Sequence, residues 1–296
     1  LQDALEIATN YQRDARQPAQ VALTRVETLG TCQMADPDAS PAWPSLAEAI
    51  QQVVSLARPE EDPEHAGLIA RQLLDCAQQL PTRPPLDQET RDQWRHSAHR
   101  IAKQLVESGP DSAEAWRLAA DSLAALGRRD EALAICGTIL AQEQIGSGSR
   151  EHQRWREAKV SAALRLAAHT LDEAEASPEP ERQQGIATAR NHLGLIDTLL
   201  PAGATSRAQR MLQARSYVLL GYHDAALEIL ARLPRDRRSE TSDFHYGMAL
   251  AASGQSGAAM RPLDQAFRNP RLSHDKRSAA AAELADVMFK VQALGD

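Results

Sequence analysis

The chain has 296 residues, of which 43% are hydrophobic and only 4% aromatic, and its formal net charge is −7. This length can bury a sizeable core, and an Ala-rich, aromatic-poor interior favours packed helices over a sheet. The acidic balance argues against nucleic acid or an anionic membrane as the main partner, and no run approaches the ~18 apolar residues of a membrane span.

The first third of the chain is dominated by helical periodicity. Apolar residues recur at helical spacing in segments that Pro-rich or polar breaks separate. Ser45 and Glu48 form an S-x-x-E capping box, and Pro63 suits the first turn of the following helix. The breaks include DPDASPAWP and PTRPP, which exclude a helix. The predicted helices here span 1–16, 20–29, 45 to about 58, 63–80 and 87–108.

The remaining two thirds continue the same alternation of helices and short loops. No segment has the alternating pattern of a strand, and short loops favour antiparallel neighbours. We predict about fourteen helices in all. The predicted helices span 112–143 (a pair), 150–176, 179–200, 204–220, 222–233, 240–253, 256–268 and 273–294.

Three segments share one pattern, in which a glycine separates an apolar helix end from a second helix. They are SLAALGRRDEALAIC, YVLLGYHDAALEIL and LAASGQSGAAMRPL, with glycines at Gly127, Gly221 and Gly254. Glycine permits the left-handed conformation that lets a chain turn at once after a helix. A small residue on each helix, such as Ala132 after the first turn, lets the two backbones approach closely.

The last two of these glycines are 33 residues apart, and a helix–turn–helix unit of this period resembles the tetratricopeptide repeat. In the best copy the matching residues are Trp116, Ala119, Ala120, Leu123, Gly127, Ala132 and Leu140. The resemblance implies an all-α fold, an α-solenoid or right-handed superhelix of antiparallel helix pairs with irregular N-terminal and middle pairs.

The match divides the chain into four parts. Residues 1–110 are expected to form irregular, degenerate helical hairpins, and 111–146 one repeat. Residues 147–203 form a long-helix pair that is too long for a standard unit. Residues 204–296 hold two repeats and a C-terminal capping helix.

Enzyme motifs are not found in the sequence, and we predict no catalytic residue and no cofactor. There is no Gly-rich phosphate loop, no G-x-S-x-G and no H-E-x-x-H. His96 and His99 share a helix face and could ligate a metal, but without a third ligand we predict a solvated or packed face. The acidic run DEAE at 172–175 is predicted to be a solvated helix face.

The three cysteines, Cys32, Cys76 and Cys136, have no metal-ligand spacing and are predicted to be buried thiols. This use of cysteine favours a reducing compartment such as the cytoplasm. The chain begins without Met, so a processed or truncated form, with a periplasmic location, is the alternative.

Members of the tetratricopeptide-repeat family bind partners in a concave groove lined by the first helix of each repeat. The resemblance therefore implies groove residues, although Met211 and Val218 could instead pack against the adjacent repeat. Asp121 departs from the Lys/Asn/Arg set that clamps chaperone tails, so that activity is not expected. The candidate groove residues are Glu114, Arg117, Asp121, Met211, Arg215, Val218, Phe244 and Met248.

Three hypotheses for function follow. The leading one is a non-catalytic scaffold that binds a protein or peptide segment, with no nucleic acid and no direct membrane insertion. The second is the repeat portion of a larger cell-envelope assembly or polysaccharide-export machine. The third is an enzyme or metal protein that uses the His96 and His99 helix. The sequence leaves the partner's identity and the oligomeric state open.

Overall fold

The computed structural model of the protein is helical in every regular element that it describes, which confirms the predicted all-α class. Each described helix lies within three residues of its predicted bounds. The helices predicted at 1–16 and 20–29, PTRPP and Cys32 lie outside the described residues, as does the helix predicted at 45 to about 58 except for Val54 and Ala57. The structure describes residues 54, 57, 59–79, 88–142, 150–201, 205–233 and 240–293.

Eleven helices are present in these ranges and are numbered in chain order. They are α1 (Pro63–Gln79), α2 (Gln88–Ser108), α3 (Ala113–Ala125), α4 (Arg129–Ala141), α5 (Arg150–Ala176), α6 (Glu181–Leu199), α7 (Arg207–Leu219), α8 (His223–Ala231), α9 (Glu240–Ala252), α10 (Ser256–Arg268) and α11 (His274–Ala293).

The chain divides into two compact units, unit 1 (Leu1–Ala162) and unit 2 (Ala163–Asp296), and the division falls within α5. In unit 1, the consecutive helices from α1 to α4 pack against each other, and α1 also contacts α3. In unit 2, the consecutive helices from α6 to α11 pack against each other, α7 contacts α9, and α9 contacts α11. Within these two series each helix thus packs against its neighbours in the chain and, in three cases, against the helix after next.

The three turn glycines adopt the predicted left-handed conformation, with φ of 74° at Gly127, 78° at Gly221 and 75° at Gly254. Each turn has the same pair of closing hydrogen bonds. After Gly127, the Arg128 N–H donates to the Leu123 carbonyl at 3.0 Å, and the Gly127 N–H donates to the Ala124 carbonyl at 3.1 Å. This is the Schellman arrangement, which satisfies carbonyls at the helix end and lets the next helix start at once.

Small residues occupy matching positions around these turns. Seven residues before each glycine lie Ala120, Ala214 and Gly247, all buried. A Cβ added at Gly247 would lie 2.8 Å from Leu263 Cδ2, so this position admits no larger residue without movement. The close approach that the sequence predicts between paired helices is therefore present in α9 and α10.

A serine caps two of the first helices, fifteen residues before the turn glycine. The Ala115 N–H donates to Ser112 Oγ at 3.3 Å, and the Gln209 N–H donates to Ser206 Oγ at 3.1 Å. Serine at this position satisfies one of the free N–H groups of the first helical turn. Ser239 has the same spacing from Gly254 but lies outside the described residues.

Each unit has an apolar core between its helices. The unit 1 core includes Ile69, Trp94 and Leu118, and the unit 2 core includes Leu263 and Val287. Cys76 and Cys136 are buried thiols, as predicted. None of the described helices combines the length and the apolar content that crossing a bilayer requires.

Candidate functional site

The predicted groove residues lie on three first helices, but their surroundings differ. Glu114, Arg117 and Asp121 are on α3 in unit 1, and the others are on α7 and α9 in unit 2, two helices that contact each other. The charged members of the set belong to two separate arrangements, one in each unit.

The arrangement in unit 1 is an ion network at the surface. Glu114 pairs with two guanidinium groups, Arg117 of its own helix at 2.8 Å and Arg71 of α1. The side chains of Arg71, Glu114 and Arg117 are 44%, 33% and 28% exposed. Two cations share the Glu114 carboxylate within reach of solvent, and Asp121 follows Arg117 by one turn on the same side of α3.

An exposed apolar side chain lies beside this network. Leu68 of α1 is 49% exposed and lies three residues before Arg71, which places both on the same side of the helix. We call Leu68, Arg71, Glu114 and Arg117 the α1–α3 face. The combination of one apolar contact with two partly exposed guanidinium groups can hold a segment that offers an apolar and an acidic side chain.

The arrangement in unit 2 is an ion cluster in which the central cation is buried. The Arg215 side chain is only 7% exposed, and its guanidinium pairs with Asp172 at 2.8 Å and with Glu175. Lys276 of α11 reaches the same Glu175 carboxylate at 3.0 Å. We call Asp172, Glu175, Arg215 and Lys276 the α7 cluster. Its two positive and two negative charges balance.

The acidic residues of the α7 cluster lie at the C-terminal end of α5. The helix macrodipole disfavours negative charge at that end, so the cations from α7 and α11 offset an unfavourable placement. The sequence predicts DEAE as a solvated face. That is correct for Glu173, which is 64% exposed, and wrong for Glu175, which is 24% exposed and binds two cations.

The pKa of Glu175 reflects this competition between burial and charge. Burial acts to raise the pKa of the carboxyl, but the positive charges of Arg215 and Lys276 outweigh it, and the pKa is lowered from its ordinary value. The carboxylate therefore stays ionised to a lower pH than an ordinary glutamate and keeps its pairs with both cations.

His245 of α9 is buried beside the α7 cluster. It is 4% exposed and makes an edge-on contact with the Phe244 ring at 5.0 Å between centroids. Burial lowers the pKa of His245 to about 3, so the ring is neutral at physiological pH. Its Nε2 has no hydrogen-bond partner among the described residues. The corresponding positions in the other two repeats are leucines, Leu118 and Leu212.

The apolar candidates are largely part of the core. Phe244 is 5% exposed and packs in the unit 2 core, so it presents no open ring to a partner. Met248 packs against the same core, and Met211 packs against the cluster around Leu230. Val218 and, in unit 1, Asp121 are half-buried.

The two histidines of α2 have different surroundings. His99 Nδ1 lies 3.0 Å from Ser122 Oγ of α3, and burial, followed by the charge of Arg128, lowers the pKa of this imidazole. His96 is exposed, and Asp92 pairs with Arg95 at 2.8 Å. Within the described ranges, no three His, Cys, Asp or Glu residues come together as a metal site.

Several residues of these arrangements were not predicted from the sequence. Leu68 and Arg71 lie before the recognisable repeats, and Asp172, Glu175 and Lys276 lie on α5 and α11, outside any matching copy. Two signals were available. Acidic residues end α5 against the macrodipole, and His245 replaces a leucine of the repeat pattern.

Comparison of the chain with protein-family models and with curated protein sequences finds no match. The likeness to the tetratricopeptide repeat therefore rests on the pattern of the chain's own residues.

Proposed function

We propose that the protein is a non-catalytic scaffold whose helix pairs stack as an α-solenoid similar to the tetratricopeptide repeat, and that it binds a segment of another protein. The observation that carries the proposal is the recurrence of one left-handed turn at Gly127, Gly221 and Gly254. One helix pair cannot bury both of its faces, so pairs that share a turn stack on each other and leave a row of first helices for a partner.

We assign the partner contact to the α1–α3 face. Leu68 offers apolar area that a partner can cover, and the partly exposed guanidinium groups of Arg71 and Arg117 can bind a further carboxylate. Arg215, the other candidate cation, already has two carboxylate partners within its own chain. The expected partner is a peptide segment with an apolar and an acidic side chain close together.

The test begins with a library of random short peptides displayed on phage and selected on the immobilised wild-type protein. Selected peptides are then synthesised with a fluorescent label, and their affinity is measured by fluorescence polarisation. Leu68→Glu and Arg117→Glu should each weaken binding by at least about tenfold, because one removes the apolar contact and the other replaces a guanidinium group by a carboxylate.

Two matched controls make the same chemical changes elsewhere. Leu195→Glu alters an exposed leucine of α6, and Arg100→Glu alters an exposed arginine of α2. Both should bind the selected peptides as the wild type does. A library that yields no binding peptide contradicts the scaffold proposal. Peptides whose affinity is the same for all four variants contradict the assignment to the α1–α3 face.

A further inference from the structure

The α7 cluster joins helices that are far apart in the sequence. Glu175, on the part of α5 that belongs to unit 2, pairs with Arg215 of α7 and, at 3.0 Å, with Lys276 of α11. In an array of repeats each unit contacts only its neighbours. The Glu175 carboxylate therefore adds a link between the first and the last described helix of unit 2 that the repeat pattern does not supply.

The apolar contacts of unit 2 include two clusters that meet at α9. One is the unit 2 core, which α9, α10 and α11 supply for the most part, and the other surrounds Leu230 and includes Ala214 of α7. Tyr246 packs against both clusters, and His245 precedes it in the sequence. The α7 cluster reaches across the same border, since Lys276 lies on α11 and Arg215 on α7. Charged side chains thus help to hold α9 to α11 against α5 and α7.

His245 lies at this border without room for a charge. Its side chain is buried, and its Nε2 has no hydrogen-bond partner among the described residues. Two carboxylates and two cations act on the ring, and α8 and α10, which also pack against α9, add no charge from their described residues. A proton on the buried ring would add a third cation to a balanced set and leave the Nε2 N–H without an acceptor. The four charged groups belong to Asp172, Glu175, Arg215 and Lys276.

We propose that the α7 cluster is an acid-sensitive latch that holds α9 to α11 against α5 and α7 at neutral pH and opens as the pH falls. In the closed form the His245 ring stays neutral. In the open form water reaches the ring, which binds a proton near its ordinary pKa of 6.5. The proton stabilises the open form only, so the ratio of open to closed molecules should rise about twentyfold between pH 7 and pH 5. Leu118 and Leu212 occupy this position in the other two repeats, which therefore lack the response.

Hydrogen–deuterium exchange of the full chain, followed by mass spectrometry, tests the latch. Protection factors, which correct for the pH dependence of intrinsic exchange, are compared at pH 7 and pH 5. In the wild type they should fall about twentyfold in α9 and in the first turns of α11, because these amides exchange through the open form. A fall of less than about threefold in these helices overturns the proposal.

Two leucine variants show whether His245 is the proton site. His245→Leu keeps an apolar side chain in the core and should reduce the fall in α9 and α11 to less than about threefold, while α1 to α4 exchange as in the wild type. His274→Leu makes the same change at a side chain of α11 that is 85% exposed, and should retain the wild-type fall. A fall that persists in His245→Leu, or an equal effect of this variant on unit 1, overturns the proposal.

Two lysine variants show whether the ion pairs hold the latch closed. Lys276→Met removes the cation that α11 contributes, and should lower the protection of α9 and α11 by at least about threefold at pH 7. The dependence on pH should stay as in the wild type, since His245 is still present. Lys290→Met, whose lysine pairs with Asp286 of its own helix, should change the protection at pH 7 by less than about twofold. Equal protection in Lys276→Met and the wild type overturns the role of the α7 cluster.

Discussion

The α1–α3 face of unit 1 and the α7 cluster of unit 2 place charged residues on corresponding helices, yet one is open to solvent and the other is closed. Asp121 and Arg215 each lie six residues before a turn glycine, at one position of the repeat. Around Asp121, the charges of Arg71, Glu114 and Arg117 lie at the surface. Around Arg215, the carboxylates of α5 and the ammonium group of α11 complete a balanced cluster.

The difference shows that the position of a residue in the repeated pattern determines the side of the helix on which its side chain lies. The other helices determine which charged groups that side chain contacts. Asp172, Glu175 and Lys276 are distant from Arg215 in the sequence and belong to no matching repeat position. A cation on a first helix is therefore available to a partner only when the other helices leave it exposed. Arg71 and Arg117 are partly exposed, whereas Arg215 is only 7% exposed.

The largest expected effect is on stability when Arg215 is removed. Arg215→Met should lower the free energy of unfolding by about 3 kcal/mol, because Asp172 and Glu175 lose their shared cation while Glu175 stays mostly buried. Arg117→Met in unit 1 should cost less than about 1 kcal/mol, since its pair with Glu114 is partly exposed. Urea denaturation of the two variants measures both, and equal losses would remove the distinction between an open and a closed arrangement.

The second prediction is that a glycine-to-alanine substitution lowers stability at one position of unit 2 and raises it at one position of unit 1. Gly247→Ala should destabilise the protein by about 2 kcal/mol, because the new methyl group would lie 2.8 Å from Leu263 of α10. Gly137→Ala on α4 should stabilise it by about 0.5 to 1 kcal/mol, since nothing lies within 4 Å and alanine favours the helix. Thermal and urea unfolding report the sign, and a neutral Gly247→Ala would show that α9 and α10 are less close than described.

The third prediction concerns pH. The unfolded chain binds a proton at His245 near its ordinary pKa of 6.5, but burial keeps the folded ring neutral down to about pH 3. Stability should therefore fall as the pH drops below 6.5, by up to about 1.4 kcal/mol per pH unit. The lowered pKa of Glu175 adds a loss only below its ordinary value of 4.5.

His245→Leu provides the comparison for this pH dependence. Leucine is the residue at the corresponding positions 118 and 212, and it cannot take up a proton. The variant should lose less stability than the wild type between pH 7 and pH 5 in urea unfolding at each pH. Parallel curves for the two proteins would mean that His245 is protonated in the folded state.

The smallest effect should be the same in both units. Gly127→Ala and Gly221→Ala each place a Cβ at a φ near 75°, where an L-residue costs about 1 kcal/mol, and no atom lies within 4 Å of the added methyl group at either site. Near-equal losses in urea unfolding are expected. A loss at one site several times that at the other would show that the two turns are not equivalent.

The sequence was sufficient for the helices and their turns because both depend on local interactions. Periodicity located α1 to α11 within three residues, and a glycine after an apolar helix end located each left-handed turn. The same local reasoning misassigned part of DEAE. Nothing within α5 reveals that Arg215 and Lys276 lie against Glu175, so an acidic run was predicted to be solvated.

In this protein, the features that depend on local sequence are thus distinct from those that depend on contacts between distant residues. The sequence by itself determined the helices, the three glycine turns and the small residues that let paired helices approach, because these follow from backbone conformation and spacing along one segment. Only the tertiary structure decided which charged side chains are buried and which are partly exposed. Ion pairs form between side chains that are more than forty residues apart in the sequence, as Arg71 and Glu114 are. The pattern of residues within one helix does not indicate which distant residue will lie beside it.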